Sequence, residues 1–395
     1  MTYHRETRAA RLTAPGPGRP LAVPLYQTAN FVFDGPDEVA EAMSGPGSFS
    51  YTGHSNPTSR ALEDAMADLE GGTKALVTAS GTGAVNSVLQ AVLRQGDHVI
   101  AQRELYGGTF SILKNMTDRW GLEVTYITGA DPAEVTEALR PTTKLLYLET
   151  IANPTGHVPD IPALAAQAKR NGVITAVDNT FATPLLCRPI EHGADVVLHS
   201  ATKYLGGHHD VVGGIAVFAD ESLYQETWRH SVRLGVTADP FAAWLILRGL
   251  KTLPLRVARQ CESALLLAER MSEHPAVSTV YHPGLPTHPS HSRAKRLLGG
   301  FGGTFAAETT DARAFMRALK LILNAPSLGG TESIVMHPAT TSHRDMDAEA
   351  LRQAGVSPNM VRIALGVEHP ADLWADVEQA LDKLSNVSPA LTSRA

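Results

Sequence analysis

The sequence predicts an α/β fold: a large domain on a mostly parallel, seven-stranded sheet covered on both faces, then a smaller α+β domain. Three observations carry this. Short, nearly continuous apolar runs recur at 74–79, 97–101, 123–127, 144–149, 173–178 and 195–199. Helical stretches separate several of them, the pattern of parallel strands buried on both sides. After about residue 250 that alternation stops and a mixed section follows.

In chain order, residues 1–58 read as an arm. Gly and Pro crowd 14–20, and Gly45-Pro46-Gly47 punctuates the arm again. Between them runs an apolar, aromatic stretch, 23–33, that needs a surface to pack on, and a neighbouring subunit is the expected one. A helix is expected from Ser59, with that serine as its cap, to Gly71-Gly72. Further helices are expected at 83–94, 109–119, 131–139 and 161–170. The run 213–218 supplies a seventh strand, antiparallel to the rest, and closes the large domain at 59–252. The domain 253–395 opens on an amphipathic helix at 256–273. It carries strands at 302–307 and 360–365 and a terminal helix at 370–384.

Totals exclude several classes. A formal net charge of -6 argues against a general nucleic-acid-binding surface. Two cysteines, Cys187 and Cys261, rule out a disulfide framework or a cysteine-rich zinc site and fit a reducing compartment. Residues 1–11 are polar and arginine-rich, so no secretory signal is expected. No stretch approaches the ~20 apolar residues that span a bilayer. A cytoplasmic enzyme is the expectation.

The chemistry gathers where strands end, the edge at which open α/β sheets bind ligands. Lys203 follows the run 195–199, and Asp178 ends the run 173–178. A lysine at the mouth of a buried sheet can form a Schiff base, and an aspartate on the neighbouring strand can partner a pyridinium nitrogen. Pyridoxal phosphate (PLP) requires that pair. Ser80-Gly81-Thr82-Gly83 precedes a helix and suits a single phosphate monoester. The hydroxyls of Ser200 and Thr202 can complete the phosphate cup. Tyr106, followed by Gly107 and Gly108, can lay its ring over a flat heteroaromatic ligand. Asn153 offers an amide to a carboxylate or phenolate. Arg362, inside an apolar strand, calls for an anion, either a substrate carboxylate or a structural acid. His208-His209-Asp210 is read as loop-shaping, and no metal is assigned.

Taken together these residues resemble the cysteine/methionine-metabolism family of fold-type I PLP enzymes, the cystathionine γ-synthase, cystathionine γ-lyase and methionine γ-lyase group. The resemblance runs from about Val23 to the terminal helix. It rests on Tyr51…Asn56-Pro57-Thr58, Ser80-Gly-Thr-Gly83, Tyr106-Gly-Gly-Thr109, Asn153-Pro154, Asp178-Asn-Thr180, Ser200-Ala-Thr-Lys203, Leu247-Arg-Gly-Leu-Lys-Thr-Leu253 and Ser327-Leu-Gly-Gly-Thr-Glu-Ser333. It implies an aspartate aminotransferase-like large domain, with Lys203 as the imine lysine and proton shuttle. Asp178 becomes the pyridinium partner, and Tyr106 the stacking residue and acid/base. Gly81, Thr82, Ser200 and Thr202 form the phosphate site, and Arg362 the carboxylate clamp, with Ser327 and Asn153 beside it. Tyr51 would serve a neighbouring subunit in a homotetramer built as a dimer of dimers. The implied reaction is γ-elimination or γ-replacement through a vinylglycine ketimine. Glu332 favours it over the alternative, β-elimination of the cystathionine β-lyase type. A catalytically silent scaffold is the alternative of another class.

Two departures stand out. Family members read Tyr-x-Arg ahead of Asn-Pro, where this chain has Tyr51-Thr52-Gly53-His54. One phosphate contact is therefore lost unless His54 or Arg60 substitutes, and space opens for a bulky or sulfonium substrate resembling S-adenosylmethionine. The second departure is Gly108, where methionine γ-lyases carry a cysteine.

Overall fold

A computed structural model describes residues 3–12 and 20–385. The irregular stretch expected over 14–19 and the last ten residues lie outside the described residues. The chain forms two compact units: residues 3–102, 112–150 and 159–254 within the described part, and residues 103–111, 151–158 and 255–385.

In the first unit, α1 (Arg5–Ala10) and α2 (Pro36–Met43) belong to the stretch expected to be an irregular arm. The guanidinium of Arg5 donates to the Pro184 carbonyl at 2.7 Å, and Arg8 pairs with Asp68, so α1 packs on its own chain. α3 (Pro57–Glu70) starts two residues before the expected Ser59. Its cap is Asn56, whose side chain accepts from the Thr58 amide, with Pro57 at the first helical position. β1 (Lys74–Thr78) leads to α4 (Gly81–Val92), capped by Ser80 through the Gly83 amide at 3.0 Å. This helix too begins two residues early, because the serine cap outweighs the poor helix propensity of glycine.

β2 (His98–Gln102), α5 (Gly107–Trp120), β3 (Glu123–Ile127), α6 (Ala133–Ala138), β4 (Thr143–Glu149), α7 (Ile161–Arg170) and β5 (Ile174–Asp178) follow. Then come the single turn α8 (Thr183–Leu186), β6 (Val196–Ser200), β7 (Gly214–Phe218), α9 (Glu221–Leu234) and α10 (Pro240–Leu250). The strands form one sheet in the order β1-β7-β6-β5-β4-β2-β3. Only β7 runs antiparallel to its neighbours β1 and β6, as the sequence predicts. Register brings Glu149, Asp178 and Leu198 side by side, so β4 and β5 end together and β6 runs two residues further. Aliphatic side chains of these strands other than Ile174 are buried, as a sheet covered on both faces requires.

In the second unit, α11 (Leu253–Ser272), α12 (His291–Leu297), α13 (Ala312–Ala318), α14 (Ala348–Gln353) and α15 (Pro370–Ser385) accompany five strands. These are β8 (Val277–Tyr281), β9 (Thr304–Thr309), β10 (Leu323–Asn324), β11 (Ile334–Met336) and β12 (Met360–Ala364), ordered β10-β11-β12-β9-β8. Three of the five are too short or too mixed to read from the sequence. Phe305, Phe315, Val361, Ile363, Leu373 and Leu381 form its core.

Candidate active site

In the first unit the site is made of strand ends. Asp178 closes β5, and its Oδ1 accepts from the Thr180 amide at 2.9 Å. Thr180 in turn accepts from the Ser200 amide at 2.8 Å through its hydroxyl, which ties the ends of β5 and β6. Burial pushes the Asp178 carboxyl up, while the Thr180 hydroxyl and amide and the charge of His199 pull it down. Lys203 lies in the tight turn directly after β6, its amide bonded to the Ser200 carbonyl at 3.1 Å. Opposite Ser200, a Cβ on Gly81 would lie 2.8 Å from the Ser200 Cβ, so only glycine lets the first turn of α4 come this close. Gly81 and Thr82 present their amides at the positive end of that helix. The Thr202 hydroxyl is already engaged with Gly213, accepting from its amide at 3.1 Å and donating to its carbonyl at 3.3 Å.

Tyr51 is 47% exposed on the arm. A Cβ at Gly53 would run into the Tyr51 ring, so the room that an arginine would need is filled by that ring. The loop is pinned from behind: Trp228 donates to the His54 carbonyl at 3.1 Å and Thr237 to the Gly53 carbonyl at 2.9 Å. The His54 imidazole stands edge-on to both Tyr51 and Trp228. Arg60 binds Glu63 at 3.0 Å, the Ser55 hydroxyl and the Pro46 carbonyl. Part of the apolar arm is held the same way, Trp244 donating to the Val23 carbonyl and Lys251 to that of Leu21. Leu25, Tyr26 and Val32 stay exposed.

In the second unit Arg362 sits mid-strand in β12, 4% exposed. Its Nη1 donates to Asn153 Oδ1 at 2.9 Å and its Nη2 to the Ser327 carbonyl at 2.6 Å. Ser327 has φ 89°, a left-handed backbone that costs a non-glycine residue about 1–3 kcal/mol and here aims its carbonyl at the guanidinium. His343 is buried beside them. Burial and the charge of Arg362 lower its pKa to about 4, against bonds to the Leu105 and Asn153 backbone that raise it. Tyr106, 45% exposed, precedes α5, and its carbonyl accepts from the Thr109 and Phe110 amides. Its ring covers Gly108, where a Cβ would collide with it. Glu332 is exposed and accepts from the Thr331 hydroxyl at 2.9 Å.

Against known families, residues 13–382 match the family described as Cys/Met metabolism PLP-dependent enzyme. The chain belongs to this family. It is 41% identical to L-methionine γ-lyase of Porphyromonas gingivalis over 372 residues, 92% of this chain and 93% of that protein. It is equally, 41%, identical to cystathionine β-lyase MetC of Bacillus subtilis, over 87% of this chain and 88% of the other. Among solved structures, cystathionine γ-synthase of Xanthomonas oryzae pv. oryzae superposes with a TM-score of 0.92 at 36% identity, covering 98% of this chain and 99% of that one.

The chain is therefore a PLP-dependent enzyme of sulfur amino-acid metabolism, of the γ-lyase, γ-synthase or β-lyase kind. Its residues fit the cofactor: a glycine cradle at Gly81, a helix N-terminus beside the Ser200 hydroxyl, an acid at a strand tip, and a lysine one turn beyond the next strand. Asp178, Ser200, Thr202, Lys203, Gly81 and Thr82 share the strand-end edge of the first unit, with Tyr51 on its arm. Arg362, Asn153 and Ser327 are joined in the second unit, which also carries Tyr106 and Glu332. Sequence reading missed His343, which no motif marks, and the buried Glu70–His199 pair behind Asp178, at 2.7 Å.

Proposed function

We propose that this enzyme removes or exchanges the γ substituent of a homoserine- or methionine-type amino acid, as a cytoplasmic homotetramer. The observation that carries the amino-acid reading is Arg362, a buried guanidinium whose fork is held by Asn153 and Ser327 and which suits an α-carboxylate. Glu332 supports Cγ over Cβ chemistry, by its match to the γ-acting members. Exposed Leu25, Tyr26 and Val32 on the arm, with Tyr51, support an arm that serves a neighbouring subunit.

PLP, when bound, supplies an electron sink for the pair left behind as the Cα proton departs. Lys203 holds the cofactor, and its amine takes the proton from Cα and delivers it onward. Asp178 holds the proton at the ring nitrogen. Tyr106 covers the ring face. The Gly81 and Thr82 amides and the Ser200 hydroxyl would bind the phosphate, and the Thr202 hydroxyl would join them by turning its proton away from the Gly213 carbonyl. Arg362 orients the substrate so that its Cα–H bond can be broken, with His343 neutral at physiological pH and so adding no competing charge. The Lys203 amine, having passed on the Cα proton, would then take a Cβ proton, the pair of that bond closing a Cβ–Cγ double bond as the γ substituent leaves with its own pair. Water, or a nucleophile adding at Cγ, would complete the turnover.

The Tyr51 ring fills the room expected for a bulky group, so the preferred leaving group is chosen by charge, a sulfonium. Gly53 places no cation where family members have arginine, and a cationic substrate would be repelled by one. Equal identity to a cystathionine β-lyase favours β-elimination as the second reading. The test is a panel of methionine, cystathionine, O-acylhomoserines and S-adenosylmethionine with the PLP-loaded enzyme. Production of 2-oxobutanoate is expected, or, with cysteine added as the nucleophile, of its adduct at Cγ. Pyruvate from cystathionine alone would establish the second reading, and no turnover of any would defeat both.

A further inference from the structure

Glu70, the last residue of α3, and His199, the penultimate residue of β6, are both completely buried, with Nε2 2.7 Å from Oε1. The same Glu70 oxygen accepts from Asn179, the residue after Asp178, at 2.8 Å. Asn179 also donates to the Cys187 carbonyl at 2.9 Å and accepts from the Thr150 hydroxyl at 2.7 Å. One carboxylate oxygen thus gathers the residue following Asp178 and the residue preceding Ser200. The pair is costly. Among the described residues, Glu70 Oε2 and His199 Nδ1 have no hydrogen-bond partner, and each buried orphan is destabilising. A purely structural clamp would be cheaper as apolar packing.

The geometry points to Glu70 and His199 as positioning residues for Asp178: the buried pair locks the tips of β5 and β6 together and keeps the Asp178 carboxylate ready for the cofactor's ring nitrogen. Asp178 stands opposite Leu198 in the register, so His199 is one residue along the adjacent strand. Its charge opposes the rise that burial imposes on the Asp178 carboxyl. On the other side of Asp178, its register partner on β4 is Glu149. Behind it, near Glu70, are Arg5 and Cys187, whose thiol is pushed up to about 12 by burial and stays neutral.

This inference rests on Asp178 being the ring-nitrogen partner, and the experiment separates the two. PLP affinity of the apo full-length protein is measured by fluorescence quenching from pH 6 to 9, with the thermal midpoint, for Glu70→Gln, the double variant Glu70→Gln/His199→Gln, and Asp178→Asn. Glu70→Gln keeps the acceptor oxygen, and the double variant replaces the imidazole with an amide as well. Both are expected to bind PLP on the order of tenfold more weakly, the usual effect of a group one step behind a bound one. In the double variant the deficit should grow as pH falls, because the imidazole that opposes the upward push of burial on the Asp178 carboxyl is gone. Parental affinity at every pH in both variants would overturn the inference. So would a loss that merely follows the thermal midpoint and ignores pH. If Asp178→Asn itself binds PLP like the parent, the assignment of Asp178 fails instead.

Discussion

On the proposed reading, Arg362 and the first turn of α4 each receive an anion, with opposite materials. Arg362 is one full charge on a buried strand, held by two neutral oxygens, those of Asn153 and Ser327. The α4 region holds its charge in dipoles: the Gly81 and Thr82 amides and the hydroxyls of Ser200 and Thr202. A buried charge is expensive to keep and worth much when its counter-ion arrives, so its contribution sits in one residue. Dipoles are cheap, and each contributes about 0.5–1.5 kcal/mol. The difference suits the tasks. If the proposal holds, a substrate that must come and go is caught by a charge, and a resident phosphate is held by many small contacts.

The largest effect should come from removing the charge. Arg362→Ala should lower kcat/KM for the amino-acid substrate by roughly two to three orders of magnitude, as losing one partner of a buried, hydrogen-bonded ion pair costs about 2–5 kcal/mol. PLP affinity, read by absorbance titration, should not change. Arg362→Lys should fall between, since an ammonium keeps the charge and loses the fork. If Arg362→Ala weakens PLP and spares the substrate, the comparison has its two anions the wrong way round.

The two units should also answer pH in opposite senses. His282 and His343 in the second unit have pKa values of about 4, lowered first by burial. The unfolded chain therefore binds more protons between about 6.5 and 4, and this unit loses stability as pH falls through that window, by about 3 kcal/mol for each histidine. Glu63 in the first unit is raised to about 7 by burial, offset in part by Arg60. There the folded state binds the extra proton, so stability falls as pH rises from about 4.5 to 7. Amide exchange, normalised for intrinsic rates, should show β12 opening more easily at pH 5 than at 7.5 and α3 the reverse. The same trend in both would refute it.

Gly53→Arg puts a charge into the dipole region. The new side chain must displace the Tyr51 ring. Turnover of a cationic substrate should fall about tenfold, a repulsion of roughly 1.4 kcal/mol. Steady-state kinetics with S-adenosylmethionine and with a neutral O-acylhomoserine separate charge from crowding: charge affects only the first, displaced Tyr51 affects both. Unchanged kinetics for both would end the proposal of a sulfonium-adapted site.

How much of this was legible before folding follows the same division. Lys203 and Asp178 were readable because apolar runs stop beside them, and a strand's end is a local feature. Arg362 was readable because a charge inside an apolar strand demands explanation. Its partner Asn153 lies 209 residues away, and Glu70 lies 129 residues from His199. No local pattern pairs residues at such separations, so the clamp and the buried pair needed the fold. The starts of α3 and α4 were misjudged by two residues where Asn56 and Ser80 cap ahead of proline and glycine. Capping competes there with propensity and wins.

The smallest effect tests whether the dipole region adds up. Ser200→Ala removes one hydroxyl beside Gly81 without disturbing the Gly81 approach, since Cβ is kept. PLP affinity should fall about fivefold, the value of one hydrogen bond of about 1 kcal/mol. Thr202→Val removes another, but this hydroxyl also holds Gly213, accepting from its amide and donating to its carbonyl. Its loss should therefore lower the thermal midpoint as well, where Ser200→Ala should not. The double variant, titrated with PLP, should lose about the product of the two single effects if the contacts are independent. A much larger loss would mean that the phosphate depends on one cooperative contact, and the contrast with Arg362 would narrow to a difference of charge alone.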